Sequence, residues 1–341
     1  MFTVALIGCG QWGPNLARIF HTDNRSRLKY VCDLDESRSG LLARRLRSVT
    51  IARDVHEILD DEEIDAIVIA TPLVTHYEIV KASLEAGKHV LVEKPLAPEF
   101  VQALELTELA KSNNKILMVG YVFLFNPGIL KAKECLTTGV LGELRYIQAI
   151  RTSLGPIRFD TNALWDLASH DISIMLYCVA DNPVFVSGVG GYFTGNPHAD
   201  IVSASIKFDN GSMGFLYSSW IDPCKVRRVT FVGEEKMLLF DDISPFESIK
   251  IFDKGVERGD LLDTYGVHRM GIRVGDILLP RLEPIEPLNN ECCAFIDACL
   301  KSVTNSAIGD LPLRVTAILE SIDKSIIQDG APVEVETDVF N

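Results

Sequence analysis

The sequence predicts an α/β protein in two parts: a doubly wound parallel sheet, then a domain built on a mostly antiparallel sheet with a few helices. Three observations point there. Strand-like and helix-like periods alternate through the first 120 residues, the pattern of a parallel sheet with helices on both faces. After about residue 122 strand-like runs follow in close succession, and Asp209-Asn210-Gly211 between two of them is a hairpin signal. The length, 341 residues, suits two domains at about 100–200 residues each. The division is placed at 1–122 and 123–341, with the option that the terminal helices pack back on the first domain.

The elements follow in order. Thr3–Gly8 is a short apolar run that reads as a buried strand, and Gly13–His21 is the helix after it. Leu28–Asp33 is a second strand, ending on an acid. Glu36–Arg47 reads as a helix, with Leu41, Leu42 and Leu46 marking its apolar face. Val55–Leu59 is a short helix, and the β-branched run Ile64–Ala70 a buried strand. Thr75–Ala86 is a helix that closes at Gly87; Thr75 as N-cap with Glu78 at N3 predicts a capping box. His89–Val92, Pro98–Asn113 and Ile116–Gly120 continue as strand, helix, strand. Beyond 122, helical periods cover Pro127–Thr138 and Ala163–Val179. Strands are predicted at Leu144–Arg151, Val184–Tyr192, Ile201–Phe208, Ser212–Trp220, Arg228–Val232 and Lys236–Asp241, and helices near Leu288–Ser302 and Leu311–Ile327.

Composition narrows the function. With 33 basic and 47 acidic residues the formal charge is 33 − 47 = −14. Such a chain repels nucleic-acid phosphates and anionic membranes, so neither is expected as a partner. The opening run MFTVALIGCG lacks a basic flank and is too short to span a bilayer, so no signal peptide and no membrane span are expected. Eight scattered cysteines without a C-x-x-C pair read as reduced thiols of a cytoplasmic protein; no metal site is expected.

GCGQWG sets Gly8, Gly10 and Gly13 between the first strand and the first helix. Gly8 permits the tight turn, Gly10 lets the backbone approach a pyrophosphate, and Gly13 allows close helix–strand packing. The helix N-terminus offers N–H donors and partial positive charge to phosphates. Asp33, twenty residues past Gly13, suits the adenosine ribose hydroxyls and repels a 2′-phosphate, which favours NAD over NADP. Arg38 either softens that preference or is a solvated surface arginine.

Three further segments carry chemistry. Ala70-Thr71-Pro72, through Thr75 to His76, follows a strand end, where ligands of such sheets bind; Thr75 and His76 also read as capping or surface residues. Glu93-Lys94-Pro95 follows the next strand, and Lys94 either donates to a substrate oxygen or makes a surface salt bridge. In WDLASHDI, Asp166 and His170 are four apart and share one face of a helix. A histidine there can take a hydroxyl proton while the carboxylate orients it; the alternative is a plain surface pair. Asp171 points elsewhere and serves structure.

GCGQWG, Ala70-Thr71-Pro72, Glu93-Lys94-Pro95 and Asp166/His170, in this order and spacing, resemble the glucose–fructose oxidoreductase and inositol dehydrogenase (Gfo/Idh/MocA) family over essentially the whole chain. The resemblance implies an N-terminal Rossmann domain and a C-terminal α/β domain whose large sheet makes the interface of a homodimer or homotetramer. It implies catalytic roles for Lys94, His170 and Asp166. It implies cofactor contacts for Gly8, Gly10, Gln11, Trp12, Gly13, Asp33, Ala70, Thr71, Pro72, His76, Glu93 and Lys94. GQWGPNLAR, NALWDLASHDISI and SWIDPCKVRRVTFVG look most like sugar-nucleotide dehydrogenases, which oxidise C3 of UDP-N-acetylglucosamine or its uronic acid. Tyr121, Asn126, Arg151, Asn162 and Trp165 are the candidate substrate residues, with Arg158 either a diphosphate contact or a surface residue and Tyr121 equally a packed aromatic. A free polyol or inositol substrate, and a non-catalytic NAD(P)-binding regulator, are the alternatives.

Overall fold

The computed structural model describes residues 1–179, 181–257, 271–301 and 309–336. The chain forms two units, Met1–Phe125 with Ile285–Ala317, and Asn126–Pro284 with Ile318–Asn341.

In the first unit, β1 (Phe2–Ile7), β2 (Ser26–Cys32), β3 (Thr50–Ile51), β4 (Ala66–Ile69), β5 (His89–Glu93) and β6 (Leu117–Gly120) make one sheet in the order β3-β2-β1-β4-β5-β6. Every pairing is parallel. The helices between the strands are α1 (Gly13–Thr22), α2 (Glu36–Arg45), α3 (Val55–Leu59), α4 (His76–Glu85) and α5 (Phe100–Ser112). A parallel sheet covered on both faces needs apolar runs rather than alternation. FTVALI and AIVI meet that need, and all ten of their residues are buried.

The second unit begins with α6 (Pro127–Thr137) and β7 (Leu144–Leu154). A π-helical turn, Leu164–Ala168, leads directly into α7 (Ser169–Cys178). Then come β8 (Pro183–Gly191), β9 (Ile201–Phe208), β10 (Met213–Ser219), β11 (Ile221–Gly233), β12 (Met237–Asp241), β13 (Ile249–Glu257) and β14 (Gly271–Leu278). After them α8 (Pro287–Lys301) belongs to the first unit, α9 (Leu311–Ile327) carries the division at Ala317, and β15 (Val333–Glu334) closes the second sheet. Ser302, the predicted end of the α8 helix, lies outside the described residues.

The second sheet runs β14-β13-β12-β11-β7-β10-β9-β8-β15. Only β7 and β10 pair in parallel. The predicted hairpin joins β9 to β10: Phe208 N–H donates to Ser212 O at 3.0 Å, and Gly211 takes φ +86°. Alternation along β7 buries Ile147 and Ala149 and leaves Tyr146 and Gln148 exposed. The sheet thus has one covered and one open face. In the first unit, Phe295 of α8 is fully buried and meets Phe2 and Phe20 edge-on, with centroids 6.3 Å away in both cases.

Three local expectations change. Leu41 is 55% exposed, whereas Leu42 is buried and Leu46 packs at the core edge; a helical face narrower than three leucines suffices for this short helix. The capping box does not form: the Thr75 hydroxyl donates to Thr71 Oγ1 and Pro72 O, both at 2.8 Å, because a 3₁₀ turn at Leu73–Thr75 precedes α4. Ala163–Val179 is not one α-helix, since Ser169 N–H reaches back five residues to Leu164 O. Among the described residues no helix is long and apolar enough to cross a membrane, and no group of three metal-ligating side chains occurs. The eight cysteines are free thiols, six of them buried.

Candidate active site

Gly8 follows β1 with φ +97°, a conformation that favours glycine. An added Cβ there would lie 2.6 Å from the Ala70 carbonyl, so the end of β4 presses against the loop. An added Cβ on Gly13 would lie 2.0 Å from Gly8 O, which no L side chain tolerates. Gly10 differs: a Cβ would meet only Arg38 Nη1, at 3.8 Å. The protein has room for that methyl, so the absence of a side chain leaves open space above the loop. That is the cradle a pyrophosphate needs. Gln11 and Trp12 are exposed beside it, and the Trp12 carbonyl starts α1 by accepting from Asn15 and Leu16 N–H.

Asp33, just past β2, is tied to this loop. Cys9 N–H donates to Oδ2 at 2.6 Å and Asp35 N–H to Oδ1 at 2.8 Å. Each oxygen keeps a lone pair for a ribose hydroxyl. A cavity of about 360 Å³ opens here, lined by Cys9, Gly10, Gln11, Pro14, Arg38, Leu41, Leu42 and Arg45. Cys9, Pro14, Leu41, Leu42 and Arg45 line it outside the residues that the resemblance implies for the cofactor, and Leu41 and Leu42 belong to the apolar face expected of α2. Arg38 is 57% exposed and bound to Asp35 at 3.2 Å.

At the ends of β4 and β5, Ala70, Thr71, Glu93 and Lys94 are half-buried and Pro72 is exposed. Burial pushes the Glu93 carboxyl up to about 7, with the Lys94 charge opposing. The Lys94–Pro95 peptide is cis. His76 is 1% exposed, and its ring nitrogens lie 2.8 Å from Pro95 O and 2.9 Å from Thr71 O, so it braces the two strand ends. Behind them Glu291 of α8 is 1% exposed, its Oε1 3.3 Å from where a Gly120 Cβ would stand. Burial and the nearby Glu93 hold its carboxyl well above the usual range.

In the second unit, Asp166 in the π-turn and His170 in the first turn of α7 are both half-buried, and Ser169, Asp171 and Ile172 around His170 are buried. In the π-turn each hydrogen bond spans five residues, so the step from Asp166 to His170 is just under one turn. Trp220 Nε1–H donates to Asp166 Oδ2 at 3.3 Å, and Arg158 Nη1 to Oδ1 at 3.5 Å. Arg158 in turn is held by Asp160 at 2.7 Å and 3.0 Å. Asp171 serves structure: its carboxylate takes two hydrogen bonds from Arg151, at 2.9 Å and 2.7 Å.

In that pair the guanidinium of Arg151, an expected substrate contact, is buried and turned to Asp171. Asn162 and Trp165 are likewise spoken for. Asn162 Nδ2 and Trp165 Nε1 both donate to Asp323 of α9, at 3.0 Å and 2.5 Å, while Asn162 Oδ1 accepts from Trp165 N–H. Burial raises the Asp323 carboxyl and these donors oppose the rise. Tyr121 is fully buried, so it is a packed aromatic. Asn126 caps α6, accepting from Gly128 N–H at 2.8 Å. Trp220 and Asp323 escaped the sequence reading, since both act across more than 50 residues and neither sits in a local motif.

Known proteins are similar to this chain. A 29% identical relative over 231 residues, 64% of this chain and 67% of its own, is the scyllo-inositol 2-dehydrogenase (NAD(+)) of Bacillus subtilis (strain 168). A 27% identical relative over 254 residues, 73% of this chain and 76% of its own, is the UDP-N-acetylglucosamine 3-dehydrogenase of Acidithiobacillus ferrooxidans. The crystal structure of GenD2 from gentamicin A biosynthesis, in complex with NAD, superposes with a TM-score of 0.82 at 24% identity, over 98% of this chain and 96% of that one, and so shares the fold. The Gfo/Idh/MocA oxidoreductase family, NAD-binding Rossmann fold, matches residues 2–121, and its C-terminal domain matches 129–239. With the glycine cradle and the Asp33 carboxylate tied to it, this makes the chain an NAD-binding oxidoreductase of the Gfo/Idh/MocA family.

Proposed function

We propose that the protein oxidises a secondary hydroxyl of a sugar, the C3 hydroxyl of a UDP-N-acetylhexosamine or its uronic acid, with NAD preferred over NADP. The observation that carries this reading is the Asp166–His170 turn, half-accessible at the start of a mostly buried helix and steadied by Trp220 and Arg158. NAD, when bound, supplies the hydride acceptor. Gly8, Gly10, Gly13 and the start of α1 hold its diphosphate, and Asp33 its ribose. In the second unit His170 takes a hydroxyl proton while Asp166 orients the imidazole, and in the first Lys94 donates to a substrate oxygen as charge develops.

Arg158 favours the sugar-nucleotide reading. Its side chain is 37% exposed beside Asp166 and puts a cation where a diphosphate or a uronate carboxylate would add a partner. The relative from Bacillus subtilis favours a second reading, a free inositol or sugar as substrate. Self-association belongs to the proposal as well. The open face of the second sheet carries Tyr146 and Phe215, ring to ring at 6.0 Å and both partly exposed, and sedimentation of the protein tests it.

The deciding experiment is a single turnover with stoichiometric NAD, following reduced-nicotinamide fluorescence. A signal only with UDP-sugars supports the first reading; a signal with scyllo-inositol supports the second. In the active pairing, Lys94→Ala should slow hydride transfer by about 100- to 10,000-fold while NAD still binds. An unchanged rate in that variant removes Lys94 from the mechanism.

A further inference from the structure

His76 is the first residue of α4, yet it is buried to 1% and reaches two loops at once. Nδ1 lies 2.8 Å from Pro95 O, in the turn after β5, and Nε2 lies 2.9 Å from Thr71 O, after β4. Both partners are carbonyl oxygens, which only accept. A neutral imidazole has one N–H; it satisfies one carbonyl and turns a lone pair on the other. Two contacts of this length are attractive together only if both ring nitrogens carry protons. We infer that His76 is held as an imidazolium that cross-links the loop after β4 to the turn after β5, and so positions Lys94. The inference rests on the role given to Lys94 above and adds a positioning residue to it.

A buried cation is costly unless it is paired or hydrogen-bonded, and two carbonyl dipoles aimed at the ring supply the bonds. β4 and the turn at Leu73–Thr75 bring no titratable group to α4. β5 brings Glu93 at its end and His89 at its start, where the ring accepts from Ile116 N–H at 2.9 Å. α5 brings Glu105, already bound to Tyr77 and Lys81, and Glu108, paired with Lys111. On its own helix His76 is followed by Tyr77 and Glu78. Of all these, Glu93 and Lys94 are the groups on the turn that His76 ties down. When the imidazolium loses a proton, one carbonyl loses its donor and the turn that carries Lys94 is released from the β4 loop.

The test uses the whole protein, ¹⁵N-labelled, with His76→Gln identifying the ring signals by their loss. At pH 8, where an ordinary histidine is neutral, the His76 ring should still show two protonated nitrogens. A neutral-tautomer pattern at pH 8 overturns the inference, and it does so in the wild-type protein whether or not the variant folds. The second arm separates positioning from packing. His76→Gln, which keeps one amide donor, should slow single-turnover reduction of NAD by about tenfold or more with NAD affinity little changed. The wild-type rate should fall over the pH range in which the imidazolium signal disappears. An unaltered rate with the imidazolium present refutes the positioning role. Failure of the Lys94→Ala prediction would instead overturn the reading on which this one rests.

Discussion

The glycine loop after β1 and the π-turn before α7 do comparable jobs by different means. Each leads into a helix, and in the proposed function each presents groups to a small molecule. The loop is shaped by main-chain sterics: Gly8 and Gly13 have no room for a methyl group, and their neighbours are backbone atoms. The π-turn is shaped by side chains from elsewhere. Asp166 is gripped by Trp220 and Arg158, and Asn162 and Trp165 by Asp323. A site made of backbone is all-or-none under substitution, whereas a site made of donors and acceptors degrades in steps.

Substitution can break or sharpen that contrast. The largest effect should come from Gly13→Ala, whose methyl would sit 2.0 Å from Gly8 O. Relieving that clash costs about 3 kcal/mol, which lowers the melting temperature of the ligand-free protein by about 6–12 °C and abolishes tight NAD binding. Gly10→Ala should isolate the ligand's share. The protein has space for its methyl, so the melting temperature stays within a degree or two while NAD affinity, by titration, falls roughly tenfold to a hundredfold. Equal losses of stability in the two variants would erase the distinction between them.

On the side-chain region, Trp220→Phe keeps the ring and deletes the N–H that reaches Asp166 at 3.3 Å. One hydrogen bond of about 1 kcal/mol predicts about a fivefold lower kcat with NAD affinity unchanged. A loss as severe as that of Lys94→Ala would mean that this region, too, is all-or-none.

The smallest effect is on stability. Burial raises Glu291 above its ordinary 4.5 in the folded protein, so the native state keeps a proton that the unfolded chain releases. Stability from this group is therefore intact below about pH 4.5 and falls as pH rises above it. Glu291→Gln lacks that loss. Its melting temperature should match the parent at pH 4 and exceed it at pH 8; a constant offset would show that Glu291 is not the titrating group.

Much of the first unit could be read directly from the chain. Its strands are apolar runs, its helices are 3.6-periodic, and the glycine spacing names its own backbone requirement, so element order and loop came out together. Leu41 shows the limit, because an apolar residue flanking a core stripe looks the same whether it faces the core or a cavity. In the second unit the hairpin at Asp209-Asn210-Gly211 was equally plain, but the strands at 249–257, 271–278 and 333–334 were not found. Of these, β14 and β15 stand at the two edges of the sheet and are mostly exposed, which leaves them little alternation.

What the sequence determined by itself was the alternation of strands and helices in the first unit and the glycine cradle, because these follow from local sterics and hydrophobic periodicity. Only the tertiary structure decided which polar residues were left to act. Arg151 went to Asp171, Asn162 and Trp165 to Asp323, and His76 to two carbonyls. A buried polar atom must find a partner, and the partner's distance along the chain has no bearing on its distance in space. Spacing alone therefore cannot tell a residue that serves the substrate from one that serves the fold.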